Sequence, residues 1–188
     1  YSALEGLEQI YVETNNINEY IAYTKQLPHL NMQQVSSEDS LVYVTAELQY
    51  MLGNHQQAAA GFTTYLTSFC PGGRYCTIAT YYAANSFYQL KQYNEAIDQF
   101  SALADIQGNP YMEEACMRVA ELSYDKQEYR TALYYFQRMS EVASSNAKRT
   151  TALLGMLRCG YNLEDKASTL DVATRLLEEP ALYSLVCN

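Results

Sequence analysis

The sequence predicts an all-α fold, an α-solenoid of about five antiparallel helix hairpins. Three observations lead to this fold class. Apolar residues recur at helical spacing between short breaks that are rich in Gly, Pro, Asn and Ser. No segment alternates polar and apolar residues for long enough to form a strand. A polar turn followed by the start of a helix recurs at 52–58, 90–96, 126–132 and 161–167, with a degenerate relative at 12–20.

The first hairpin, residues 1–28, is the least regular of the predicted units. Helices are expected at 2–13 and 17–27, because apolar residues share one face of the first segment and Asn15–Asn16 interrupts the pattern. Residues 29–38 are polar and aperiodic, so we expect them to form a connector.

Four full hairpins follow, each built from two helices around one polar turn. Residues through which a helix cannot continue close them, including Pro71, Pro110 and Pro180. Asp39 or Ser40 is predicted to cap the first helix, because either side chain can accept a hydrogen bond from a free backbone N–H group. The hairpins are 39–71, 75–109, 110–143 and 147–180, the helices are expected at 41–52, 55–69, 75–90, 93–106, 111–125, 128–142, 147–161 and 164–178, and residues 181–188 are expected to start a truncated next helix.

Fixed offsets from one alanine indicate that the hairpins are copies of a single unit. Twelve residues before this anchor alanine, each copy has a small residue, which lets two helix backbones approach closely. Four residues after it, three copies have phenylalanine, which fills the space beside the contact. The anchors are Ala58, Ala96, Ala132 and Ala167, the small residues are Ala46, Ala84, Ala120 and Gly155, and the phenylalanines are Phe62, Phe100 and Phe136.

With these residues the chain resembles the tetratricopeptide repeat (TPR) family, whose unit is a helix hairpin of about 34 residues. Tyr93 and Tyr129, each three residues before an anchor, and the closing prolines add to the resemblance. The first hairpin departs from it with Glu8 and Tyr20 at the small positions, and the last full hairpin has Asp171 in place of phenylalanine. The resemblance implies a right-handed superhelix whose concave face is lined by the first helix of each hairpin.

A closer likeness links the chain to bacterial cell-envelope TPR proteins, of the Tol–Pal coordinator and outer-membrane assembly lipoprotein type. Tyrosine-rich helices and the turn at 69–75 carry this likeness. It implies a bacterial protein of the periplasm or cell envelope; the residues themselves indicate no compartment. Because the chain starts inside a predicted helix at Tyr1 and begins another at 181–188, we expect it to be a fragment of a larger protein.

The first helices carry tyrosines, carboxylates and one amide that would line a groove for a partner. Residues eight and fifteen before each anchor are seven apart, so they share a helix face. Tyrosine offers a large contact area with few rotatable bonds, and the resemblance implies that Asn85 hydrogen-bonds the partner's backbone. The alternative is that these tyrosines only pack one hairpin against the next. The predicted groove residues are Tyr43, Glu47, Tyr50, Tyr81, Asn85, Tyr88, Met117, Glu121 and Tyr124, and the same offsets reach Ala152, Met156 and Cys159 in the last hairpin.

Charge narrows the class of partner. The net charge of -9 and the pI of about 4.6 argue against nucleic acid and against direct contact with an anionic membrane surface. No apolar run approaches the roughly 20 residues that would insert across a bilayer. Because Glu47, Glu114, Glu121 and Asp125 lie on the candidate faces, a clamp for a carboxylate is disfavoured and a neutral or basic peptide or protein is expected.

The sequence contains no pattern for catalysis, a cofactor or a metal. Its two histidines, His29 and His55, fall in the connector and in a turn, and no HExxH, CxxC, GxSxG or phosphate-binding glycine loop is present. We therefore predict a non-enzymatic protein-interaction scaffold, with a second copy of the chain as one conceivable partner. Two alternatives stay open: a glycan-handling module that stacks sugars on the tyrosines, and a structural or self-association spacer.

Five cysteines are present, an odd number, so at least one thiol is unpaired within a monomer. Cys70 and Cys76 flank a turn and could form a disulfide only if their Cα atoms come within about 7 Å. The sequence leaves this pairing open, and we favour unpaired, half-buried thiols.

Overall fold

A computed structural model describes residues 3–27 and 37–178 of the chain. Within these two ranges it contains ten α-helices and no β-strand, which confirms the all-α prediction. Helices that are neighbours in sequence pack together, as α1 with α2, α3 with α4, and α8 with α9. The helices are α1 (Ala3–Glu13), α2 (Ile17–Lys25), α3 (Glu38–Met51), α4 (His55–Phe69), α5 (Cys76–Gln89), α6 (Tyr93–Ala104), α7 (Met112–Asp125), α8 (Tyr129–Val142), α9 (Asn146–Asn162) and α10 (Lys166–Glu178).

The start of α3 differs from the predicted start. Ser37, and not Asp39 or Ser40, is the N-cap residue, and its side chain accepts a hydrogen bond from the Ser40 backbone N–H at 3.3 Å. Glu38 and Asp39 instead occupy the first turn, where a negative charge interacts favourably with the helix N-terminus. The prediction of the cap was therefore two to three residues late.

The recurring polar turn is a Schellman motif, and the described residues contain five copies of it. In each copy one residue has a positive φ, and its N–H donates to the carbonyl three residues back. The following N–H donates to the carbonyl five residues back, as Asn54 does to Gln49 at 2.9 Å. The positive-φ residues are Asn15 (58°), Gly53 (77°), Lys91 (60°), Gln127 (63°) and Glu164 (56°).

These turns correct the repeat register of the last hairpin. In the four other copies, the fifth residue after the positive-φ residue is buried, and it is Tyr20 or one of the first three anchor alanines. The equivalent residue after Glu164 is Thr169, whereas Ala167 is exposed. A Cβ atom added to Gly160 would lie 2.6 Å from Thr169 Oγ1, so α9 packs tightly on α10 at this point, whereas the nearest neighbour of Gly155 is Phe136 of α8.

The described chain divides into two compact units, Tyr1–Gln99 and Phe100–Asn188, and the division falls inside α6. In unit 1 the core is aromatic, with Phe62 and Tyr65 fully buried. At the degenerate first hairpin, the buried Tyr20 hydroxyl donates to Glu8 Oε2 at 3.2 Å, and burial together with this carboxylate raises the pKa of Tyr20 to about 12. Tyr20 and Glu8 thus form a hydrogen-bonded contact where the other hairpins have small residues.

In unit 2 the core is mainly aliphatic and sulfur-containing. Phe136 packs directly on Gly155, since a Cβ atom added there would lie 2.5 Å from the ring. Cys116 and Cys159 are unpaired and buried, and burial raises the pKa of both thiols, that of Cys159 to about 11. Other buried members of this core are Leu103, Val119, Met139 and Leu153.

Cys70 and Cys76 form a disulfide, with an S–S distance of 2.05 Å and a Cα–Cα distance of 5.7 Å. The expectation of unpaired thiols is therefore wrong for this pair. Gly73 lets the turn between them pack tightly on α4: an added Cβ would lie 2.7 Å from the Tyr65 hydroxyl and 3.0 Å from Phe69 Cβ. The paired glycines in this turn were the sequence signal for a bend tight enough to join the cysteines.

Several predictions concern residues outside the described ranges. They include the connector as far as residue 36 with His29, the prolines at 28 and 180, and the helix start at 181–188. Among the described helices, none is long and apolar enough to cross a bilayer.

Candidate functional site

Tyr43 on α3 belongs to the core of unit 1. Its side chain is 4% exposed, and its ring stacks on Tyr75 with centroids 4.2 Å apart and planes inclined by 11°. The hydroxyl donates to Glu47 Oε1 at 2.7 Å, and Glu47 is half-buried. Burial therefore removes Tyr43 from the residues that a partner could contact, but Tyr43 orients the carboxylate of Glu47.

The ring of Tyr50, two turns after Tyr43 on α3, is partly packed against other rings and partly exposed to solvent. Its half-buried ring lies 4.6 Å from that of Tyr82 on α5 and 5.8 Å from the His55 ring. Tyr43 and part of the Tyr50 ring therefore pack one hairpin against the next, as the alternative interpretation of the tyrosines expects.

Tyr81, Asn85 and Tyr88 lie on one face of α5 at spacings of four and three residues. The two tyrosines are half-buried, and the ring of Tyr88 lies 6.0 Å from that of Tyr93 across the turn. Asn85 is 9% exposed, and its Nδ2 donates to the Tyr81 carbonyl at 3.0 Å. Its amide nitrogen is thus engaged within α5, and the exposed part of this face is mostly tyrosine.

Neither α3 nor α5 contains a lysine or arginine. The basic residues of unit 1 are Lys25, Arg74 and Lys91. Lys25 pairs with Glu38 at 3.0 Å, Arg74 lies 5.5 Å from the centre of the Tyr75 ring, and Lys91 is in a turn. The candidate face of unit 1 is consequently neutral to acidic.

In unit 2 the predicted residues Met117, Glu121 and Tyr124 are all half-buried on α7. Burial raises the pKa of Glu121; Arg118, whose Nη1 is 3.7 Å from the carboxylate, opposes this shift, and Asp125 reinforces it. A carboxylate with a raised pKa is incompletely compensated, so a cationic group arriving at this position would stabilise it.

Counted from Thr169, the same three offsets select Leu154, Arg158 and Tyr161 of α9 in place of Ala152, Met156 and Cys159. Tyr161 and Arg158 are exposed, Tyr161 to 78%, whereas Cys159, which the original offset selected, is buried. Asn162 Nδ2 donates to the Tyr124 hydroxyl at 3.2 Å, so α7 and α9 meet at this face. The signal that could have found Tyr161 was the turn itself, because a tyrosine stands three residues before the positive-φ residue in four of its copies.

An open cleft of about 840 Å³ borders the same tyrosine, between the end of α9 and the start of α10. Tyr161, Leu170 and Ala173 contribute apolar surface to it, and Asp165 and Lys166 contribute charge. Elsewhere in the described ranges, no three His, Cys, Asp or Glu side chains are grouped as a metal site would require.

Comparison with known proteins identifies solved structures that have a similar fold. No protein-family profile and no curated sequence matches the chain. A kinesin light chain-like protein from Podosopora anserina with nearly identical TPR-like repeats is similar in structure, with 12% identity, a TM-score of 0.56, and coverage of 96% of this chain and 95% of that one. MamA from Desulfovibrio magneticus RS-1 is similar at 14% identity and a TM-score of 0.53, covering 93% and 92% of the two chains.

A third similar structure is BtubC (BKLC) from P. vanneervenii, at 11% identity and a TM-score of 0.56, covering 96% of this chain and 80% of that one. Sequence identities this low show the fold alone. The fold is therefore a TPR-like helical repeat.

Proposed function

We propose that the chain is a non-enzymatic scaffold that binds a partner peptide or protein on the first helices of its hairpins. The observation that carries this proposal is the recurrence of a tyrosine at one position of the turn. Tyr50, Tyr88, Tyr124 and Tyr161 each stand three residues before a positive-φ residue, and none of them is fully buried. If these tyrosines served only to fill the core, they would be buried. Aromatic residues that recur at one position and stay partly exposed are typical of binding surfaces.

The proposed partner is neutral or basic. In unit 1 the contact residues are Glu47, Tyr50, Tyr81 and Tyr88, on helices without lysine or arginine. In unit 2 they are Met117, Glu121, Tyr124, Arg158 and Tyr161. Tyrosine rings supply area at a small cost in side-chain entropy, and Glu47 and Glu121 supply charge for a lysine or arginine of the partner.

The further proposal is that the chain is part of a bacterial cell-envelope protein. It rests on the likeness of the tyrosine-rich helices and of the turn at 69–75 to envelope TPR proteins. The disulfide in that turn supports it, because disulfides persist in oxidising compartments such as the periplasm.

A displayed library of random peptides, selected on the purified chain, tests the binding proposal. Tyr88→Ala and Glu47→Gln are expected to weaken binding of the selected peptides about tenfold or more, as truncation of an aromatic anchor does. Tyr134→Ala is the matched control, because Tyr134 is 54% exposed on α8, a second helix. Unchanged binding in both first-helix variants, or equal loss in the control, would refute the groove.

Two other functions stay as predictions without a specific observation in their favour. A glycan-handling module would bind a glycan array through Tyr50, Tyr88 or Tyr161, and those signals would fall in the alanine variants. A self-association spacer would change its apparent mass with concentration in size-exclusion chromatography, which a peptide-binding monomer would not.

A further inference from the structure

The loop between α4 and α5 is held on the start of α3 by hydrogen bonds. The Arg74 backbone N–H donates to Asp39 Oδ2 at 3.2 Å, and the Tyr75 N–H donates to the Tyr65 hydroxyl at 2.9 Å. The Tyr65 hydroxyl also hydrogen-bonds Asp39, and burial together with this carboxylate raises the pKa of Tyr65 to about 12. One acid on α3 therefore organises both backbone contacts of the loop.

The same loop covers Tyr43. The Tyr75 ring stacks on the Tyr43 ring, and Ser40 Oγ and the Tyr75 hydroxyl lie 3.4 Å apart. Because Tyr43 is almost fully buried in this arrangement, departure of the loop would expose an aromatic ring in the middle of the unit 1 core. The Cys70–Cys76 disulfide closes this loop at its two ends.

Unit 2 contains a matching loop without a disulfide. Glu113 stands fourteen residues before the positive-φ Gln127, as Asp39 stands fourteen before Gly53. Its carboxylate accepts the Ser144 N–H at 3.3 Å, and Lys148 Nζ lies 2.8 Å from it. Two of the hairpins thus use an acid at the same position to hold the loop that follows the second helix, whereas the hairpins of Lys91 and Glu164 have Thr77 and Thr150 there. Unit 2 reinforces that acid with an ion pair, and unit 1 reinforces its loop with a covalent bond.

We propose that the Cys70–Cys76 disulfide is a redox-sensitive clasp that controls the burial of Tyr43. In the oxidised state the clasp keeps Tyr75 stacked on Tyr43. A dithiol reductant converts the disulfide into two thiols and is itself oxidised to its cyclic disulfide, so the two electrons and two protons balance. The freed loop, which contains two glycines, then leaves α3, and Tyr43 becomes exposed.

Two features of the described cysteines would confine the effect of a reductant to the loop between α4 and α5. Cys70 and Cys76 are only half-buried, and Pro71, Gly72 and Arg74 between them are exposed, so a small reductant can reach the bond. Cys116 and Cys159 are fully buried in unit 2, where neither thiolate formation nor disulfide exchange is favoured. The inference does not depend on the proposed partner binding.

Hydrogen–deuterium exchange on the whole chain, with and without dithiothreitol, tests the clasp. Thiol alkylation and mass spectrometry first establish whether Cys70 and Cys76 are reduced under native conditions. Reduction is expected to speed exchange about tenfold or more in 38–46 and 70–79, because the loop and the start of α3 lose their mutual restraint. Residues 112–120 and 144–150 of unit 2, which have the same acid but no disulfide, are the internal control and should not change.

The double variant Cys70→Ser/Cys76→Ser is expected to show the fast exchange in 38–46 with or without reductant. The proposal is overturned if native protein resists reduction by dithiothreitol, or if the reduced protein keeps its protection in 38–46. It is equally overturned if unit 2 loosens to the same extent. Because the reduced wild-type chain is measured directly, these outcomes stand even if the double variant does not fold.

Discussion

At the scale of single residues, the same residue type serves different ends on one helix face. Tyr43 and Tyr81 share a repeat position, yet the first is core and the second is half-buried. Tyr75, from the loop before α5, stacks on Tyr43, and Phe62 and Tyr65 of α4 lie against the same ring. Spacing along a helix predicts which residues share a face, but it does not report what another segment places over them. Burial at Tyr43 therefore could not be predicted from its offset.

Glu113 is expected to make stability depend on pH. Burial would raise its pKa, but the Lys148 ammonium and the Ser144 hydroxyl and N–H outweigh burial, and the net shift is downward. The lowered pKa means that Glu113 stabilises the fold above the ordinary glutamate range near pH 4.3, and that this contribution is lost as the pH falls through the folded pKa.

Accordingly, Glu113→Gln should lower the free energy of unfolding by about 1 kcal/mol at pH 7, and the difference from wild type should shrink toward pH 3. Urea unfolding at a series of pH values measures it. Gln137→Ala, at an exposed site of the same unit and without a titratable group, is the control, and its effect should not vary with pH. A Glu113→Gln effect that is constant with pH would contradict this account.

Gly155 is expected to tolerate no side chain. An added Cβ would lie 2.5 Å from the Phe136 ring, so Gly155→Ala should destabilise the chain by about 1–3 kcal/mol through overpacking. Gly6→Ala is the matched control: nothing lies within 4 Å of its added Cβ, and removal of a helical glycine should be neutral or stabilise by up to about 1 kcal/mol. Equal urea midpoints for the two variants would show that α9 does not approach α8 so closely.

At the scale of elements, the Schellman turn is the feature from which the repeat is best defined. The sequence predicted ten helices from apolar spacing and breaks, and the observed helices start and end within three residues of those positions. The register of the last hairpin was off by two residues because it was set by the nearest alanine, Ala167. After Gly53, Lys91 and Gln127 the fifth residue is an alanine, whereas after Glu164 it is Thr169, so residue type misled where backbone conformation sets the register.

Four of the five turn residues with positive φ are not glycine, and this conformation costs an L-residue roughly 1–2 kcal/mol. Gln127→Gly should therefore raise the free energy of unfolding by up to about 1 kcal/mol, after the greater freedom of glycine in the unfolded chain is subtracted. Gly53→Ala should lower it by about 1–2 kcal/mol. Thermal or urea unfolding gives both values, and a destabilised Gln127→Gly would mean that the Gln127 side chain makes a contact that outweighs its backbone cost.

At the scale of the whole molecule, the sequence was sufficient to predict the fold. It predicted only in part which residues of the candidate binding face are exposed. The fold could be predicted from repetition, because the same polar turn recurs in all five hairpins and small residues recur at fixed offsets in most of them. The site depends on which repeated residues remain exposed, and that is decided by loops such as 70–76 and by the exact register of α9 and α10. Of the tyrosines that the sequence offsets selected, Tyr50, Tyr88 and Tyr124 are partly exposed and Tyr43 is buried, whereas the exposed Tyr161 was not selected.

The most direct test of the scaffold account is hydrogen–deuterium exchange of the whole chain with and without a saturating library-selected peptide. Binding on the first helices predicts slower exchange in α3, α5, α7 or α9, centred on the turns that follow Tyr50, Tyr88, Tyr124 or Tyr161, with α4 and α8 unchanged. Tyr88→Ala should abolish the protection near residue 88. Protection confined to the second helices α4 and α8 would contradict the account.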